Sequence, residues 1–397
     1  MPQTQTSPTV TDRPPASPQS APRANRYRRK IEEYAALAGI TINGDAPWDP
    51  QVHDERLYQR IFSRGKLGLG EAYMEGWWDC DRLDELFCRV TKADLARVVR
   101  RDWRTLLLHL SSRLFNRQNI RGAREVIDVH YNSGNDHFEK MLGPALAYSC
   151  AYFKDTDDLD QAQEAKLDLI CRKLQLQPTD RVLDIGFGWG TFTRYAARKY
   201  GCQIVGVSPS EEQLKFCQAR DGDLPIQYVL SDYREPHKYN PENKPFDKIV
   251  SIGMFEHVGY KNYRDYFQTA FDQLKPGGLF VLHTFGENAD EPDPDPWGHK
   301  YIYPNGMAPS IKQIGIGVAD LFVMEDWQNM GYYYYMTYMK WLENLDAHNP
   351  DTRDPFYRMW RYFLMYFGGN FKSRQNVQLW QIVLSKGGVD GVYHAPR

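Results

Sequence analysis

The chain has 397 residues, of which 42% are apolar, so it can bury a sizeable core and is long enough for two domains. Its 49 basic and 51 acidic residues nearly cancel. This balance argues against a dedicated nucleic-acid binder, which usually carries a basic excess, and we predict no nucleic-acid partner. Six cysteines are scattered without a C-x-x-C pair. Their spacing excludes a zinc ribbon or redox motif, predicts no metal site and fits a reducing cytosol.

The N-terminal segment 1–25 is rich in Pro, Ser, Thr and Gln and contains no apolar stretch. It therefore differs from a secretory signal peptide, and we predict a disordered tail. No run of about 18 apolar residues occurs in the chain, so the sequence predicts no membrane-spanning helix. Any contact with a membrane would then be peripheral.

Residues 26–110 have the pattern of a small, mainly helical N-terminal domain. A helix is predicted over 26–37, followed by a short strand at 40–42 that runs into a turn. A basic zone then extends through a predicted linker helix at 111–129. Its arginines are Arg97, Arg100, Arg101, Arg104, Arg113, Arg117, Arg121 and Arg124. Two interpretations stay open: a solvated helix face, or a surface that meets anionic lipid headgroups.

The segment 130–397 has the pattern of a second domain, in which strands alternate with helices. The predicted strands are 181–185, 203–207, 226–230, 248–252 and 279–283. This alternation is typical of an α/β domain with a mostly parallel sheet and helices on both faces. Ligands of such folds bind beyond the carboxyl ends of the strands.

The strongest local motif is a glycine-rich turn that follows the first of these strands. Asp184 precedes Gly186, Gly188 and Gly190, and a helix is predicted to start near Thr191. Glycines let the backbone approach a ligand, and the following helix offers free N–H groups. Dinucleotide folds usually show G-x-G-x-x-G without the acidic residue. The acidic variant resembles the first motif of Rossmann-like, class I methyltransferases, which implies S-adenosylmethionine as the cofactor.

The next two strands end in further candidate cofactor residues. Ser208, Ser210 and Gln213 follow the second strand, where many relatives place an acidic residue for the ribose. Asp232 and Tyr233 follow the third strand, where the adenine ring would be flanked. Asp232 could accept a hydrogen bond from the adenine amino group, or it could cap a helix.

The fourth strand runs into Glu256, His257 and Val258, at the edge where these folds present catalytic groups. The [NDS]-P-P-[YF] motif of amino methyltransferases that act on DNA is absent. A similar E-H-V occurs in O-methyltransferases of quinone biosynthesis. The segment therefore indicates the enzyme class and leaves the substrate open.

Seven ordered segments over more than 300 residues carry a more specific resemblance. They are 130–136, 148–153, the loop at 182–190, 253–259, 282–284, 301–306 and 378–381. Through them the chain resembles the bacterial cyclopropane-fatty-acyl-phospholipid synthases and the related mycolic acid cyclopropane synthases. The resemblance implies transfer of a methylene group from S-adenosylmethionine to the cis double bond of phospholipid acyl chains. It also implies a homodimer in the cytoplasm, bound peripherally to the inner face of the membrane through the N-terminal domain.

The resemblance further implies a set of catalytic residues. Bicarbonate would be the base, held by Cys150, Glu256, His283 and Tyr334 with a backbone contact near Phe285. Tyr148 and Ser149 would bind the cofactor. Cys150 could instead be a small core residue, and His283 a buried histidine with satisfied hydrogen bonds.

Aromatic faces would stabilise a cation on the acyl chain, because they attract positive charge without reacting with it. The candidates are Tyr332, Tyr333, Tyr334, Tyr335, Tyr338, Tyr357, Trp360, Tyr362, Phe363 and Phe367. Most of this aromatic stripe could equally be helical core. One departure is Phe367, which stands where relatives often have a cysteine, so a thiol nucleophile is excluded there.

Three other functions stay open. A methyltransferase acting on the same double bond could give a methyl-branched chain, although that outcome needs an external reductant. O-methylation of a quinone or another small aromatic substrate would leave Cys150, Tyr334 and the N-terminal domain unexplained. A lipid-binding scaffold with an inactive cofactor site disagrees with the intact glycine loop and with Glu256.

Overall fold

A computed structural model describes residues 21–101, 134–289, 295–303, 306–348 and 351–397. Several predicted features lie outside these residues: the linker helix at 111–129, most of the basic zone, and residues 130–133 of the motif at 130–136. Residues 1–20 of the predicted tail also lie outside them. The helix α1 begins at Ala21, inside the segment predicted to be a tail.

Up to residue 101, the described N-terminal part consists of four helices and a small antiparallel sheet of two strands. Its elements are α1 (Ala21–Leu37), β1 (Gln51–Val52), α2 (Arg56–Met74), β2 (Trp78–Asp79), α3 (Leu83–Lys92) and α4 (Leu95–Arg101). The predicted strand at 40–42 is wrong. The backbone N–H of Thr41 donates to Asp49 Oδ1 at 2.8 Å, so a side chain takes the place of a partner strand. Gly65 interrupts α2 with φ 57° and ψ −136°, which kinks the helix.

The remaining elements form the α/β part. Its strands are β3 (Arg181–Ile185), β4 (Gln203–Ser208), β5 (Ile226–Leu230), β6 (Phe246–Ile252), β7 (Leu274–Glu287), β8 (Val323–Asn329) and β9 (Val377–Ser385). Its helices are α5 (Gly134–Leu142), α6 (Leu159–Lys173), α7 (Thr191–Tyr200), α8 (Glu211–Arg220), α9 (Pro236–Tyr239), α10 (Tyr263–Gln273), α11 (Pro296–Tyr301), α12 (Ile311–Val318), α13 (Gly331–His348) and α14 (Pro355–Ser373).

The sheet has the order β5-β4-β3-β6-β7-β9-β8. Strands β5, β4, β3, β6 and β7 are parallel, whereas β9 runs antiparallel to both of its neighbours. The α/β prediction and its five strands are confirmed, and β8 and β9 are additional. The strand order reverses between β3 and β6, which is where open parallel sheets bind their ligands.

The N-terminal helices and the last two helices share one hydrophobic core. Helix α14 begins with proline, and the Asp354 side chain caps it by accepting from two backbone N–H groups. Asp84 of α3 accepts hydrogen bonds from Lys372 and Tyr335, both at 3.0 Å. At Gly369 an added Cβ would lie 2.4 Å from the Asp84 carbonyl oxygen, so only glycine allows this approach of α3 and α14. The N-terminal part is therefore packed directly against the α/β part.

Among the described residues, no helix combines the length and the apolar character that crossing a bilayer requires. That part of the chain also holds no group of three or more His, Cys, Asp or Glu residues arranged for a metal ion.

Candidate active site

Two cavities lie beyond the carboxyl ends of β3 and β6. The loop cavity, of about 590 Å³, is lined by the glycine-rich turn and by the residues that follow β4 and β5. The aromatic cavity, of about 640 Å³, lies between the sheet, the helices α3, α13 and α14, and the start of α4. Four residues line both cavities: Tyr148, Ser149, Gly253 and His257. The cavities therefore meet at these residues.

The glycine-rich turn forms one wall of the loop cavity. Gly186 has φ 95°, and an added Cβ would lie 2.7 Å from the Met254 side chain. Any larger residue at this position would therefore collide with the segment that follows β6. Gly188 and Asp184 also line this cavity. Gly190 does not line the loop cavity. It immediately precedes α7 with φ 76°, so it supports the turn at the point where the helix begins. Burial raises the pKa of Asp184 to about 7.

The predicted ribose residues also line the loop cavity. Ser208 donates to Gln213 Oε1 at 2.9 Å, which orients that amide. Ser210 caps α8 by accepting from the Gln213 backbone N–H. All three side chains are therefore fixed by local hydrogen bonds.

Asp232 and Tyr233 line the same cavity. The Asp232 carboxylate accepts from Arg234 Nε at 2.8 Å and from Arg234 Nη2 at 2.6 Å. This bidentate pair holds the pKa of Asp232 below its usual range. The alternative helix-cap role is wrong, because Glu235 is the N-cap residue of α9.

Tyr148 and Ser149 form the boundary between the cavities. Tyr148 stacks on Trp341 of α13, with ring centres 5.4 Å apart. Lys166 of α6 donates to Ser149 Oγ at 3.0 Å, and the Gln163 amide donates to the Ser149 carbonyl at 3.0 Å. Lys166 was not among the residues predicted from sequence. It could have been noticed as a lysine at a position of α6 where the helical pattern expects an apolar residue, four residues after Ala162.

The four predicted catalytic residues all line the aromatic cavity. Glu256 lies in a 3₁₀ turn after β6 and is 6% exposed. Its Oε1 accepts from the Phe285 backbone N–H at 2.8 Å. Glu256 therefore already uses the N–H of the residue near which a backbone contact to bicarbonate was predicted. Its Oε2 has no hydrogen-bond partner within the described part of the chain. Burial raises the pKa of Glu256 to about 7.

His283 lies on β7, opposite Gln381 of β9. The Gln381 amide N–H lies 3.3 Å from Nδ1 of the imidazole. Because an amide N–H only donates, Nδ1 accepts and the neutral ring carries its proton on Nε2. Burial holds the pKa of His283 well below its usual value, so the ring stays neutral. Nε2 has no partner among the described residues, so His283 is not a histidine with both ring nitrogens satisfied.

Cys150 and Tyr334 complete this set. Cys150 is fully buried, and its thiol donates to the Ala151 carbonyl at 3.2 Å. Burial raises the pKa of this thiol well above its usual range, so it is neutral and a poor nucleophile. Tyr334 stacks on Tyr338, with ring centres 4.4 Å apart, and lies 5.0 Å from the ring of Phe371.

The aromatic stripe divides between the cavity wall and the core. Of the predicted residues, Tyr334, Trp360, Tyr362 and Phe367 line the cavity. The others do not line it: Tyr332, Tyr333, Tyr335, Tyr338, Tyr357 and Phe363. Six aromatic wall residues were missed: Phe87, Phe138, Phe285, Tyr303, Tyr366 and Phe371. They come from several elements that are distant in sequence, so no local pattern distinguishes them.

Residues 118–382 match the family model described as mycolic acid cyclopropane synthetase. The chain belongs to the mycolic acid cyclopropane synthetase family. It is 46% identical over 377 residues to the cyclopropane-fatty-acyl-phospholipid synthase of Escherichia coli K12, an alignment that covers 94% of this chain and 97% of that protein. The resemblance to this family on which the sequence analysis relied is confirmed.

Solved structures of cyclopropane synthases resemble this family member over about two thirds of its length. One is the cyclopropane synthase MmaA2 from Mycobacterium tuberculosis, 29% identical, with a TM-score of 0.58 over 66% of this chain and 98% of that one. Another is the mycolic acid cyclopropane synthase CmaA1 complexed with SAH and CTAB, 26% identical, with a TM-score of 0.55 over 68% of this chain and 100% of that one. This member of the family is an S-adenosylmethionine-dependent enzyme with a class I methyltransferase fold. The predicted roles of individual site residues stay predictions.

Proposed function

We propose that this enzyme transfers a methylene group from S-adenosylmethionine to the cis double bond of unsaturated phospholipid acyl chains. The observation that carries the proposal is the meeting of the two cavities at Tyr148, Ser149, Gly253 and His257. One cavity offers polar groups and backbone to a cofactor. The other offers aromatic walls to an acyl chain, and buried polar groups lie where they join.

S-adenosylmethionine supplies a methyl group on a positively charged sulfur when it is bound in the loop cavity. The predicted cofactor residues line that cavity, except Gly190, which supports the turn. Asp184 and the glycine turn would hold the amino-acid end, and Asp232 and Tyr233 the adenine ring. The donor set therefore fits this cofactor. A cofactor held in this way would present its methyl group toward Tyr148 and Gly253, which line both cavities.

The aromatic wall stabilises the positive charge that the acyl chain carries once its double bond has taken the methyl group from sulfur. Phe285, Tyr334 and Phe371 lie within 6.0 Å of one another by ring centres. Their faces attract a cation without adding to it. The same wall excludes water, which would otherwise quench the charge.

Ring closure then needs a base that removes one proton from the new methyl group, so that its electron pair forms the last ring bond. Bicarbonate would supply that base, held by Cys150, Glu256, His283 and Tyr334. Two buried polar atoms without a partner among the described residues fit such an ion: Glu256 Oε2 and His283 Nε2. Nε2–H of His283 can donate to an oxygen of the ion, and Glu256 Oε2 can accept a proton from it.

A methyl-branched product is the second candidate. The chain is 35% identical to a probable fatty acid methyltransferase of Pseudomonas putida, over 68% of this chain and 72% of that protein. The first steps would be the same, and a hydride from an external reductant would then add to the cation, so that all three hydrogens of the methyl group stay in the product. The buried acceptor at Glu256 favours loss of the proton and hence the cyclopropane.

One experiment separates these outcomes. Purified protein is incubated with S-adenosylmethionine that carries a CD₃ group and with vesicles of cis-monounsaturated phospholipid. Mass spectrometry and proton NMR then identify the acyl products. Two retained deuteriums on a cyclopropane methylene support the proposal, three on a branched chain support the second candidate, and no labelled lipid would contradict both.

The proposal includes peripheral binding at the inner face of the membrane and a homodimer in the cytoplasm. The aromatic cavity supports the membrane contact, because α2, α3 and α4 of the N-terminal part line it together with the sheet. Charge reversal of Arg100 and Arg101 should weaken binding to anionic vesicles in a flotation assay. Light scattering tests the dimer, and a monomeric mass would refute it.

A further inference from the structure

A buried lysine lines the loop cavity and forms no salt bridge with a carboxylate of the described residues. Lys166 is 1% exposed and lines that cavity. Its ammonium group donates to the neutral Ser149 hydroxyl at 3.0 Å. Among the residues that the structure describes, no carboxylate forms an ion pair with it. A buried charge without an ion-pair partner at contact distance is costly, so Lys166 is a candidate for binding an anionic group of a ligand.

A second lysine of the same helix shows what a purely structural role looks like. Lys173 is also fully buried, but its ammonium group lies 3.2 Å from Asp326 and donates to Gln328 at 2.7 Å. Burial lowers the pKa of each lysine to about 8. The two residues thus lie on the same helix and are equally buried, and they differ in whether a carboxylate lies within salt-bridge distance.

The carboxylate at the amino-acid end of the cofactor would supply the salt bridge that Lys166 lacks. Asp184, on β3 just before the glycine-rich turn, lines the same cavity and interacts electrostatically with Lys166 without a contact between the two side chains. A zwitterion placed between them would present its ammonium group to Asp184 and its carboxylate to Lys166. Charge-assisted hydrogen bonds of this kind are strong inside a protein.

We propose that Lys166 binds the carboxylate of the methionine part of S-adenosylmethionine and is a specificity-determining residue for the cofactor. Through its bond to Ser149, it also couples the bound cofactor to the chain segment that separates the two cavities. This inference rests on the cofactor binding in the proposed function. It does not depend on which lipid is the substrate.

The test compares two ligands that differ only in the carboxylate. Affinities for S-adenosylmethionine and for decarboxylated S-adenosylmethionine are measured by calorimetry, without lipid. The parent protein should prefer the carboxylated form by at least about 30-fold, and Lys166→Met should lose that preference. The affinity of Lys166→Met for the decarboxylated form should change by less than about threefold. Lys173→Met, at the matched buried position, should keep the full preference.

Several outcomes would overturn the inference. A full preference in Lys166→Met would show that backbone N–H groups of the turn bind the carboxylate alone. Equal loss for both ligands in a folded variant would show a structural role. Thermal melting checks folding, and Lys166→Gln, which keeps a donor to Ser149, is measured alongside in case the methionine variant unfolds. A failure of lipid turnover with an intact ligand preference would contradict the proposed function and leave the role of Lys166 standing.

Discussion

Replacing Glu256 by glutamine should separate the chemistry of the site from its folding. Oε1 of Glu256 accepts from the Phe285 backbone N–H at 2.8 Å, and glutamine keeps an oxygen there with nearly the same volume. The second oxygen, which lacks a partner among the described residues, becomes an NH₂ group that cannot accept a proton. We expect the fold to persist and kcat to fall by about 10²- to 10⁴-fold, the usual contribution of acid–base catalysis.

The same substitution should stabilise the protein at high pH. Burial raises the pKa of Glu256 from 4.5 to about 7. A carboxyl group with a raised pKa disfavours the folded state once it ionises. The penalty is therefore absent below about pH 4.5, grows up to about pH 7 and is complete above it. At about 1.4 kcal/mol per pKa unit, the full penalty is roughly 3 kcal/mol. Glutamine has no charge and avoids it.

Two measurements check this pair of effects. Turnover is measured with cis-monounsaturated phospholipid vesicles, and thermal midpoints are recorded at about pH 5 and about pH 8. The control is Glu212→Gln on the exposed face of α8, which should change neither quantity. The reasoning fails if the Glu256 variant keeps more than about a tenth of the parent turnover, or if it melts below the parent at about pH 8.

Three further predictions concern single contacts of the site. Affinity for S-adenosylhomocysteine should rise as the pH increases through about 7, because Asp184 ionises there, and Asp184→Asn should flatten this profile in calorimetry. Gly190→Ala should lower the thermal midpoint more than Gly188→Ala. Both have positive φ, but only at Gly190 would the new Cβ meet side-chain atoms at 2.8 Å. Gln381→Leu should shift the proton of His283 toward Nδ1, visible in ¹⁵N NMR, and lower kcat about tenfold.

The local parts of the fold and site were predictable from sequence. Strand β3 and the turn at Asp184 form one short segment whose residue types and spacing already specify a buried strand and a close backbone approach. The same holds for Ser210, whose side chain caps the helix that it precedes. Such features depend on neighbours within a few residues, and a single sequence contains them in full.

Features that depend on distant residues were not predictable. The contact between His283 and Gln381 requires the antiparallel register of β7 and β9, and no local pattern specifies that register. Helices α13 and α14 are aromatic on several faces, so their sequences do not show which rings face the cavity. The predicted strand at 40–42 failed for a related reason, because the Asp49 side chain, eight residues away, accepts the hydrogen bond of the Thr41 backbone N–H.

The aromatic cavity contains several titratable groups that burial keeps neutral. Cys150 remains a thiol and His283 an imidazole, because burial disfavours their charged forms. Glu256 is the exception, since the pKa of about 7 lets it change charge near neutral pH. A site for a carbocation benefits from this arrangement. Thiolates or water would trap the cation, whereas aromatic faces stabilise it until it loses a proton. Burial of polar groups thus serves the chemistry at a cost in stability.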